Sequence, residues 1–239
     1  MSFRRFLTVV VATLSFGAPA FAQNATPQQT PRPAPPSTLR APTRADILRG
    51  EYGRYRANND LLFYHLDIRV DPVKKTVGGK NTIRFKMLRD DTRIQLELYA
   101  NLSVDKIVYG ATPLKFERDL NTVYVDFPET LKSGRTYSID FHYSGAPQEQ
   151  GRFGGITFRS DPTGKPWINT ACEGEGSSIW WPSKDQWRDE PEGMEISVAI
   201  PNDLVNVSNG RFQARPTSVT ATPDGTTSCT TRSTRTTCR

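Results

Sequence analysis

Histidine and cysteine are scarce in this sequence of 239 residues, and their scarcity excludes the common zinc sites. The two histidines, His65 and His142, lie far apart, and none of the three cysteines belongs to a Cys-x-x-Cys pair. Zinc sites in proteins need several such ligands at short, regular spacings. We therefore predict that this chain binds no metal and contains no catalytic residue of a metal centre.

The number of cysteines is odd, which leaves the disulfide pattern open. Cys172 stands next to Glu173, whereas Cys229 and Cys238 lie within the last eleven residues. A disulfide between Cys229 and Cys238 is compatible with an oxidising compartment. The sequence does not decide whether that bridge forms.

No apolar run is long enough to span a bilayer, which takes about 20 residues. The run from Phe6 to Phe16 follows two arginines and precedes Ala20-Phe21-Ala22, a small-x-small cleavage pattern. We interpret residues 1–22 as a secretory signal peptide and expect the mature chain to begin near Gln23. The protein is then exported, to the periplasm or outside the cell, with no stable membrane span; a retained signal anchor is the alternative.

A strong charge excess is also missing from the body of the chain. Of the formal net charge of +6, two positive charges lie in residues 1–22, and residues 211–239 hold five arginines and one aspartate. Residues 23–210 are therefore neutral overall and offer no basic surface for a polyanion. We predict no nucleic-acid partner.

Large apolar residues are almost absent from residues 23–45, where six prolines alternate with polar residues. This composition predicts a disordered, extended linker, and a polyproline ligand for another domain is the alternative. The body that follows, residues 46–212, is predicted to be one domain. Its first part, residues 45–60, is compatible with one short helix.

After residue 60 no amphipathic helix is evident, and apolar residues alternate with polar ones at a period of two. Turn residues separate these strands, which predicts an all-β domain, either an antiparallel β-sandwich or saddle-like twisted sheets. Both histidines fall on polar faces, where a solvated or hydrogen-bonded side chain is expected. The predicted inward-facing residues are Tyr64, Leu66, Ile68 and Val70; Ile83, Phe85 and Met87; Ile94, Leu96 and Leu98; Val123, Val125 and Phe127; Tyr137, Ile139, Phe141 and Tyr143; and Ile196, Val198 and Ile200. Residues 104–109 form a further predicted strand.

The segment from Trp167 to Glu190 has the most unusual composition. It holds all four tryptophans. Two of its carboxylates, Glu173 and Glu175, are each followed by a glycine. Glycine permits backbone conformations that bring a neighbouring side chain close to a ligand. We therefore take this segment as the candidate recognition site, and expect Trp180 and Trp181 to pack it onto the sheet or onto another domain.

Taken in order, several motifs resemble the N-terminal domain of the aminopeptidase N family of zinc metallopeptidases, the gluzincins. The resemblance covers residues 61–212 and includes Tyr64-His-Leu-Asp-Ile-Arg-Val, Val77-Gly-Gly-Lys-Asn-Thr-Ile-Arg-Phe, Thr170-Ala-Cys-Glu-Gly-Glu-Gly, and Val207-Ser-Asn-Gly. In that family the β domain packs against a thermolysin-like catalytic domain that binds zinc and follows it in sequence. The His-Glu-x-x-His and Gly-x-Met-Glu-Asn motifs of that catalytic domain are missing here.

The resemblance implies a role for Glu173, which matches the family glutamate that binds the free α-amino group of a peptide substrate. A carboxylate suits this role because it accepts charge-assisted hydrogen bonds from an ammonium group. Glu175 is the second candidate, and a loop carboxylate without a substrate role is the alternative. Ala171 replaces the family's glutamine, and Pro182-Ser183-Lys184-Asp185 departs from its Pro-Cys-x-Asp turn.

Residues 213–239, rich in Ser, Thr and Arg, lack apolar periodicity and are predicted to form an irregular tail. A reading-frame change near Gly225 is our hypothesis for its origin, and a natural surface-attachment tail is the alternative. Two functions remain open. The first is the substrate-cleft domain of an exported zinc aminopeptidase, inactive in this chain alone, with zinc expected in the intact protein and a peptide as its substrate; the second is a non-enzymatic β-sandwich binding or adhesion module.

Overall fold

Alternating apolar residues build most of this fold, and the computed structural model describes residues 40–150, 154–214 and 226–234. The described residues from Pro42 onward belong to one compact unit. The predicted signal peptide and most of the predicted linker lie outside the described residues, as do Gly225 and Cys238. The cleavage site, the proposed frame change and the proposed bridge to Cys238 therefore remain predictions.

Two short helices precede the first strand where the sequence predicts one. Helix α1 (Arg44–Gly50) begins with a capping box, in which the Asp46 amide donates to Thr43 Oγ1 at 3.3 Å and the Thr43 amide donates to the Asp46 carboxylate at 2.7 Å. Glu51 is extended, which ends α1, and helix α2 (Arg54–Ala57) restarts after Gly53. The prediction of one helix is corrected to two, because the chain changes direction between the glycines.

Fourteen strands follow within the described residues, and they confirm the predicted β-rich fold. Their bounds are β1 Asn59–Asp71, β2 Thr76–Met87, β3 Asp91–Glu97, β4 Leu102–Tyr109, β5 Thr112–Pro113, β6 Lys115–Asp119, β7 Thr122–Leu131, β8 Thr136–Gly145, β9 Glu149–Gln150, β10 Gly154–Ser160, β11 Pro166–Cys172, β12 Gly193–Pro201, β13 Arg211–Ala214 and β14 Thr226–Thr234. The hairpin of β10 and β11 was not predicted from the sequence, because its residues do not show a clear row of apolar side chains on one face.

The strands form three sheets. An eight-stranded sheet has the order β13-β14-β12-β1-β2-β8-β4-β5, and two three-stranded sheets have the orders β11-β10-β9 and β3-β7-β6. All pairs between these strands are antiparallel except β1 with β12, which run parallel, with Phe63 opposite Gly193. The prediction of antiparallel strands is thus corrected at one pair. Two parallel strands need a long connection between them, and more than a hundred residues separate β1 from β12.

One hydrophobic core takes side chains from all three sheets. Most residues of the predicted inward faces are buried, with Leu66 and Phe141 fully excluded from solvent and Ile83 only 1% exposed. Four of them are only partly buried and pack against the core: Val70, Tyr137, Ile196 and Ile200. Ile156 of β10 and Trp181 of the segment after β11 join the same core. The core therefore extends from the large sheet to the base of the candidate recognition site.

The C-terminal residues 226–234 differ from the predicted irregular tail, because they form β14 between β12 and β13. Strand pairing uses backbone groups and needs no apolar alternation, and threonine-rich segments have high β-propensity. The absence of an apolar pattern therefore did not exclude a strand. No helix in the described part of the chain is long and apolar enough to cross a membrane.

Candidate functional site

The acidic turn, residues 173–176, begins directly after edge strand β11. Gly174 and Gly176 both have positive φ values, +78° and +80°, and the Gly176 amide donates to the Cys172 carbonyl at 3.0 Å. A single turn of 3₁₀ helix, Ser177–Ile179, follows. The two glycines allow a reversal that presents the side chains of Glu173 and Glu175 at the end of the sheet.

Asp185 holds the far side of this turn. Its Oδ2 accepts hydrogen bonds from the Ser178 amide at 3.2 Å and from Ser178 Oγ at 2.5 Å. A Cβ atom at Gly176 would lie 2.1 Å from the same Oδ2, so the Asp185 carboxylate occupies the space that any larger residue would need. Gly176 is therefore required both by its φ value and by this close approach.

A buried carboxylate, Glu97 on β3, connects this turn to helix α2. Glu97 Oε2 accepts from the Asp185 amide at 2.8 Å, and Oε1 accepts from Arg56 Nη2 at 2.7 Å and from Gln95 Nε2 at 3.0 Å. The Arg56 side chain is fully buried and that of Glu97 is 6% exposed. Burial raises the pKa of Glu97, and the Arg56 guanidinium opposes this shift.

The backbone of β3 also pairs with the segment. The Glu97 amide donates to the Ser183 carbonyl at 2.7 Å, and the Ser183 amide donates back to the Glu97 carbonyl at 3.0 Å. Gln95 and Glu97 occupy the polar face of the predicted strand, yet both are buried. The face that alternation would assign to solvent is covered by residues 177–185 and by Arg56, which the sequence pattern did not indicate.

A second buried ion pair lies at the other end of the segment. The ammonium group of Lys184 donates to the Asp189 carboxylate and, at 2.6 Å, to the Asn59 carbonyl. Asp189 in turn accepts from the Leu61 amide through both oxygens at 3.2 Å. Burial lowers the pKa of Lys184, and the Asp189 carboxylate counteracts that shift. These contacts join residues 184–189 to the start of β1.

The expected packing role of the paired tryptophans is confirmed for Trp181, which is 7% exposed and meets the Tyr64 ring edge-on at a centroid distance of 4.9 Å. Trp180 Nε1 donates to Cys172 Sγ at 3.2 Å, and burial raises the pKa of that thiol. Trp167 and Trp187, by contrast, are 62% and 80% exposed. Two tryptophans anchor the segment and two face outward.

The two candidate carboxylates have different surroundings. Glu175 is half-buried; its Oε2 accepts a hydrogen bond from the Tyr99 hydroxyl at 2.9 Å and lies 3.6 Å from Arg49 Nη1. Burial and the Glu175 carboxylate raise the pKa of Tyr99 to about 12, so this hydroxyl stays a neutral donor. The Glu173 side chain is exposed, and within the described residues it has no hydrogen bond or ion pair.

The residues that the structure describes do not fit a zinc ion. The described residues contain no group of three or more His, Cys, Asp and Glu side chains that could hold a metal. His65, on β1, has its Nε2 3.2 Å from Ser197 Oγ, as expected for a hydrogen-bonded histidine on a polar face, and His142 lies on β8.

Most of the strands and the acidic turn lie within a match to one known protein family. A sequence model of the Peptidase M1 N-terminal domain matches residues 61–227, more than half of the chain. The chain belongs to this family. The resemblance found in the motifs is thereby confirmed. The match begins at residue 61, after helices α1 and α2.

Solved structures with the same fold are M1 zinc metallopeptidases. One, from Deinococcus radiodurans, is a point mutant bound to a Tyr-Ser-Ala substrate; it is 19% identical, with a TM-score of 0.60 over 74% of this chain and 39% of that chain. A two-domain M1 zinc metallopeptidase mutant bound to L-arginine is 20% identical, with the same TM-score and coverage. This chain thus spans about two fifths of the length of these neighbours. A search of curated protein sequences gave no match.

Glu173 and Glu175 were identified from the sequence, but the residues that position the acidic turn were not. Arg49, Arg56 and Glu97 are ordinary charged residues in the sequence, and nothing in their spacing marks them as partners of residues 173–185. The one available signal was the position of Glu97 between Leu96 and Leu98, where a buried charge requires a buried partner. Its partner lies 41 residues away in sequence, which local patterns cannot reveal.

Proposed function

We propose that this chain supplies the N-terminal substrate-cleft domain of an exported zinc aminopeptidase, and that Glu173 binds the free α-amino group of a peptide. The observation that carries the proposal is the contrast between the two carboxylates within an M1 N-terminal domain. Glu175 is engaged inside the domain by Tyr99 and Arg49, whereas Glu173 is exposed and unpaired among the described residues. Only Glu173 therefore has its full hydrogen-bonding capacity available for a ligand.

The chemistry of the carboxylate fits an ammonium group. An ionised carboxylate accepts charge-assisted hydrogen bonds, which are stronger than those between neutral groups. The position of Glu173 at the end of an edge strand also leaves space for an extended peptide beside β11, where backbone groups are unpaired on the outer side. In the intact protein the domain would form one wall of the cleft, and zinc and the catalytic groups would come from another domain.

The proposal predicts that the purified chain hydrolyses no aminoacyl reporter substrate, with or without added zinc. The reason is that the sequence supplies no His-Glu-x-x-His motif and no other set of zinc ligands. The measurement is chromophore release over hours at micromolar protein. Hydrolysis that a chelator abolishes would contradict the proposal for this chain.

The role of Glu173 can be tested by nuclear magnetic resonance with a short peptide carrying a free N-terminus and the same peptide N-acetylated. We expect the free peptide alone to shift the amide signals of Gly174 and Gly176. Glu173→Gln should abolish these shifts, and Glu129→Gln, an equivalent change at an exposed site on β7, should retain them. If Glu175→Gln abolishes the shifts and Glu173→Gln does not, the assignment of the two carboxylates is wrong.

The second candidate function is a non-enzymatic binding or adhesion module. The exposed rings of Trp167 and Trp187 favour it, because large exposed aromatic side chains are typical of contact surfaces. A binding module is expected to be monomeric and to change its tryptophan fluorescence when it binds its ligand. Aggregation, together with binding of a hydrophobic dye, would instead favour a domain that normally packs against a further one.

A further inference from the structure

Helix α1 lies before the region that matches the M1 family, yet its last turn contacts the acidic turn. Arg49 Nη2 donates a hydrogen bond to the Gly174 carbonyl, and Nη1 lies 3.6 Å from Glu175 Oε2. The family match begins only at residue 61. The contact is therefore made by a part of the chain that lies outside the matched residues.

The position of Arg49 is itself fixed from inside the domain. The buried Arg56 Nη1 donates to the Arg49 carbonyl at 3.0 Å and to the Glu51 carbonyl at 2.6 Å. Leu48, the preceding residue, is 6% exposed. The end of α1 is thus held in place, while the Arg49 side chain, 54% exposed, extends from it to the acidic turn.

The two contacts of Arg49 act on different parts of the turn. The hydrogen bond to the Gly174 carbonyl restrains the backbone between the two glutamates, at a glycine that has no Cβ to limit its conformation. The guanidinium beside Glu175 compensates the charge of that carboxylate, which also accepts from Tyr99. After both effects, one charged side chain of the turn remains uncompensated, and it is Glu173.

We propose that Arg49 is a positioning residue for the acidic turn, which orders its backbone and neutralises Glu175 so that Glu173 alone presents a free negative charge. That Glu173 then binds an amine rests on the function proposed above. The ordering of the turn does not depend on it. The segment 43–57 is by this inference part of the recognition site and not a spacer that leads to it.

The test is hydrogen–deuterium exchange of the full chain, measured on peptides that cover residues 172–178. Arg49→Met is expected to speed exchange there about five- to tenfold, as the loss of one charge-assisted hydrogen bond would. Arg49→Lys keeps the charge without the forked geometry and should restore part of the protection. Exchange in β3 and β7 should stay unchanged, because the contact is local.

Arg44→Met is the matched control. Arg44 lies on the same helix, is similarly exposed and forms a comparable ion pair, with Asp119 at 2.6 Å, on β6 and away from the acidic turn. It should leave exchange in residues 172–178 at the wild-type rate. Equal exchange in the Arg44 and Arg49 variants would overturn the proposal, and so would a speed-up in Arg49→Met that extends to β3 and β7.

The peptide experiment separates this inference from the proposed function. If Arg49→Met speeds exchange and also weakens the amide shifts caused by the free peptide, both hold. If the exchange changes as expected but wild-type protein shows no difference between free and acetylated peptide, the positioning role of Arg49 stands and amine binding by Glu173 is wrong.

Discussion

The sheet core and the middle of the segment 173–190, residues 178–184, are both largely buried, but different interactions stabilise them. The core consists of apolar side chains such as Leu66, Phe85 and Phe141, none more than 1% exposed. In the segment the residues buried to the same degree include Ser183 and Lys184, at 1% and 4% exposure. The core is stabilised mainly by removal of apolar area from water, and the segment mainly by a network of hydrogen bonds and ion pairs.

This difference has a consequence for how each region responds to substitution. Apolar burial is non-directional, so a core tolerates similar shapes and loses stability in proportion to the volume removed. A buried polar network depends on every partner, because a donor or charge left alone in the interior is costly. The candidate site is therefore expected to be rigid when intact and sensitive to single changes far from Glu173.

The largest predicted effect tests this sensitivity at Arg56. Arg56→Met removes the two hydrogen bonds that Arg56 donates to Glu97 Oε1 and the two that it donates to carbonyls at the end of α1. The Glu97 carboxylate then stays buried without its ion-pair partner. We expect the free energy of unfolding to fall by about 3–5 kcal/mol, as for other broken buried pairs. Urea denaturation followed by tryptophan fluorescence measures it.

The double variant Arg56→Met with Glu97→Leu is the control for that experiment. If the loss comes from the uncompensated charge, removing the charge as well should recover a large part of the stability. If the double variant is as unstable as the sum of the two single variants, packing and not charge is what Arg56 supplies, and the comparison with the apolar core fails.

A middle-sized effect is expected at the two glycines of the acidic turn. Gly174→Ala and Gly176→Ala both impose backbone strain of about 1 kcal/mol or more, since the φ values are +78° and +80°. At Gly176 the ψ value of 171° adds to it, because that combination is essentially restricted to glycine. A Cβ at Gly174 meets nothing within 4 Å, whereas one at Gly176 would lie 2.1 Å from Asp185 Oδ2. Gly176→Ala should therefore cost more, by about 1–2 kcal/mol.

The pair of alanine variants is informative because each serves as the reference for the other. Thermal unfolding of both proteins gives the difference directly, free of the shared effect of adding a methyl group to the unfolded chain. Equal losses in the two variants would mean that Asp185 moves aside at little cost. In that case the turn is less tightly held by Asp185 than its hydrogen bonds to Ser178 indicate.

The same contrast explains how much of the molecule could be predicted from the sequence. The strands β1, β2, β3, β7 and β8 were predicted because their inward residues alternate, and the period of two follows from strand geometry. Strand β12 was predicted, but its parallel pairing with β1 was missed, and so was the strand β14. Pairing between distant strands uses backbone groups that carry no sequence signal. The acidic turn was found by composition and by family resemblance, without its supporting residues.

The supporting residues illustrate the physical limit most clearly. Glu97 lies on the polar phase of an alternating strand, and such a position normally faces water. Only the three-dimensional arrangement brings Arg56 and the Asp185 amide to that face and makes it an interior. The residue pattern of one strand cannot indicate that helix α2 and a segment almost ninety residues later in the chain shield its polar face from water.

The smallest predicted effect is the loss of folding stability at low pH that comes from Asp91. This residue lies at the start of β3, beside the polar network. Burial raises the pKa of Asp91, but hydrogen bonds from Arg54, Asn58 and the Thr92 amide outweigh it, so that the pKa is lowered overall. The unfolded chain then binds a proton at higher pH than the folded chain. The stabilisation is therefore present above about pH 4 and is lost as the pH falls through the lower pKa of the folded state. Because Arg54 is exposed, we expect at most about 1 kcal/mol.

Denaturation midpoints of wild type and Asp91→Asn between pH 7 and pH 3 test this expectation. The variant should be less stable at pH 7, and the two proteins should converge as the pH falls, since only the wild type loses an ionised carboxylate at this site. A constant gap down to pH 3 would show that Asp91 acts through shape and not through charge. The apolar core holds no comparable group, so a steep loss of stability on acidification in both proteins would mean that the acid acts through carboxylates other than Asp91.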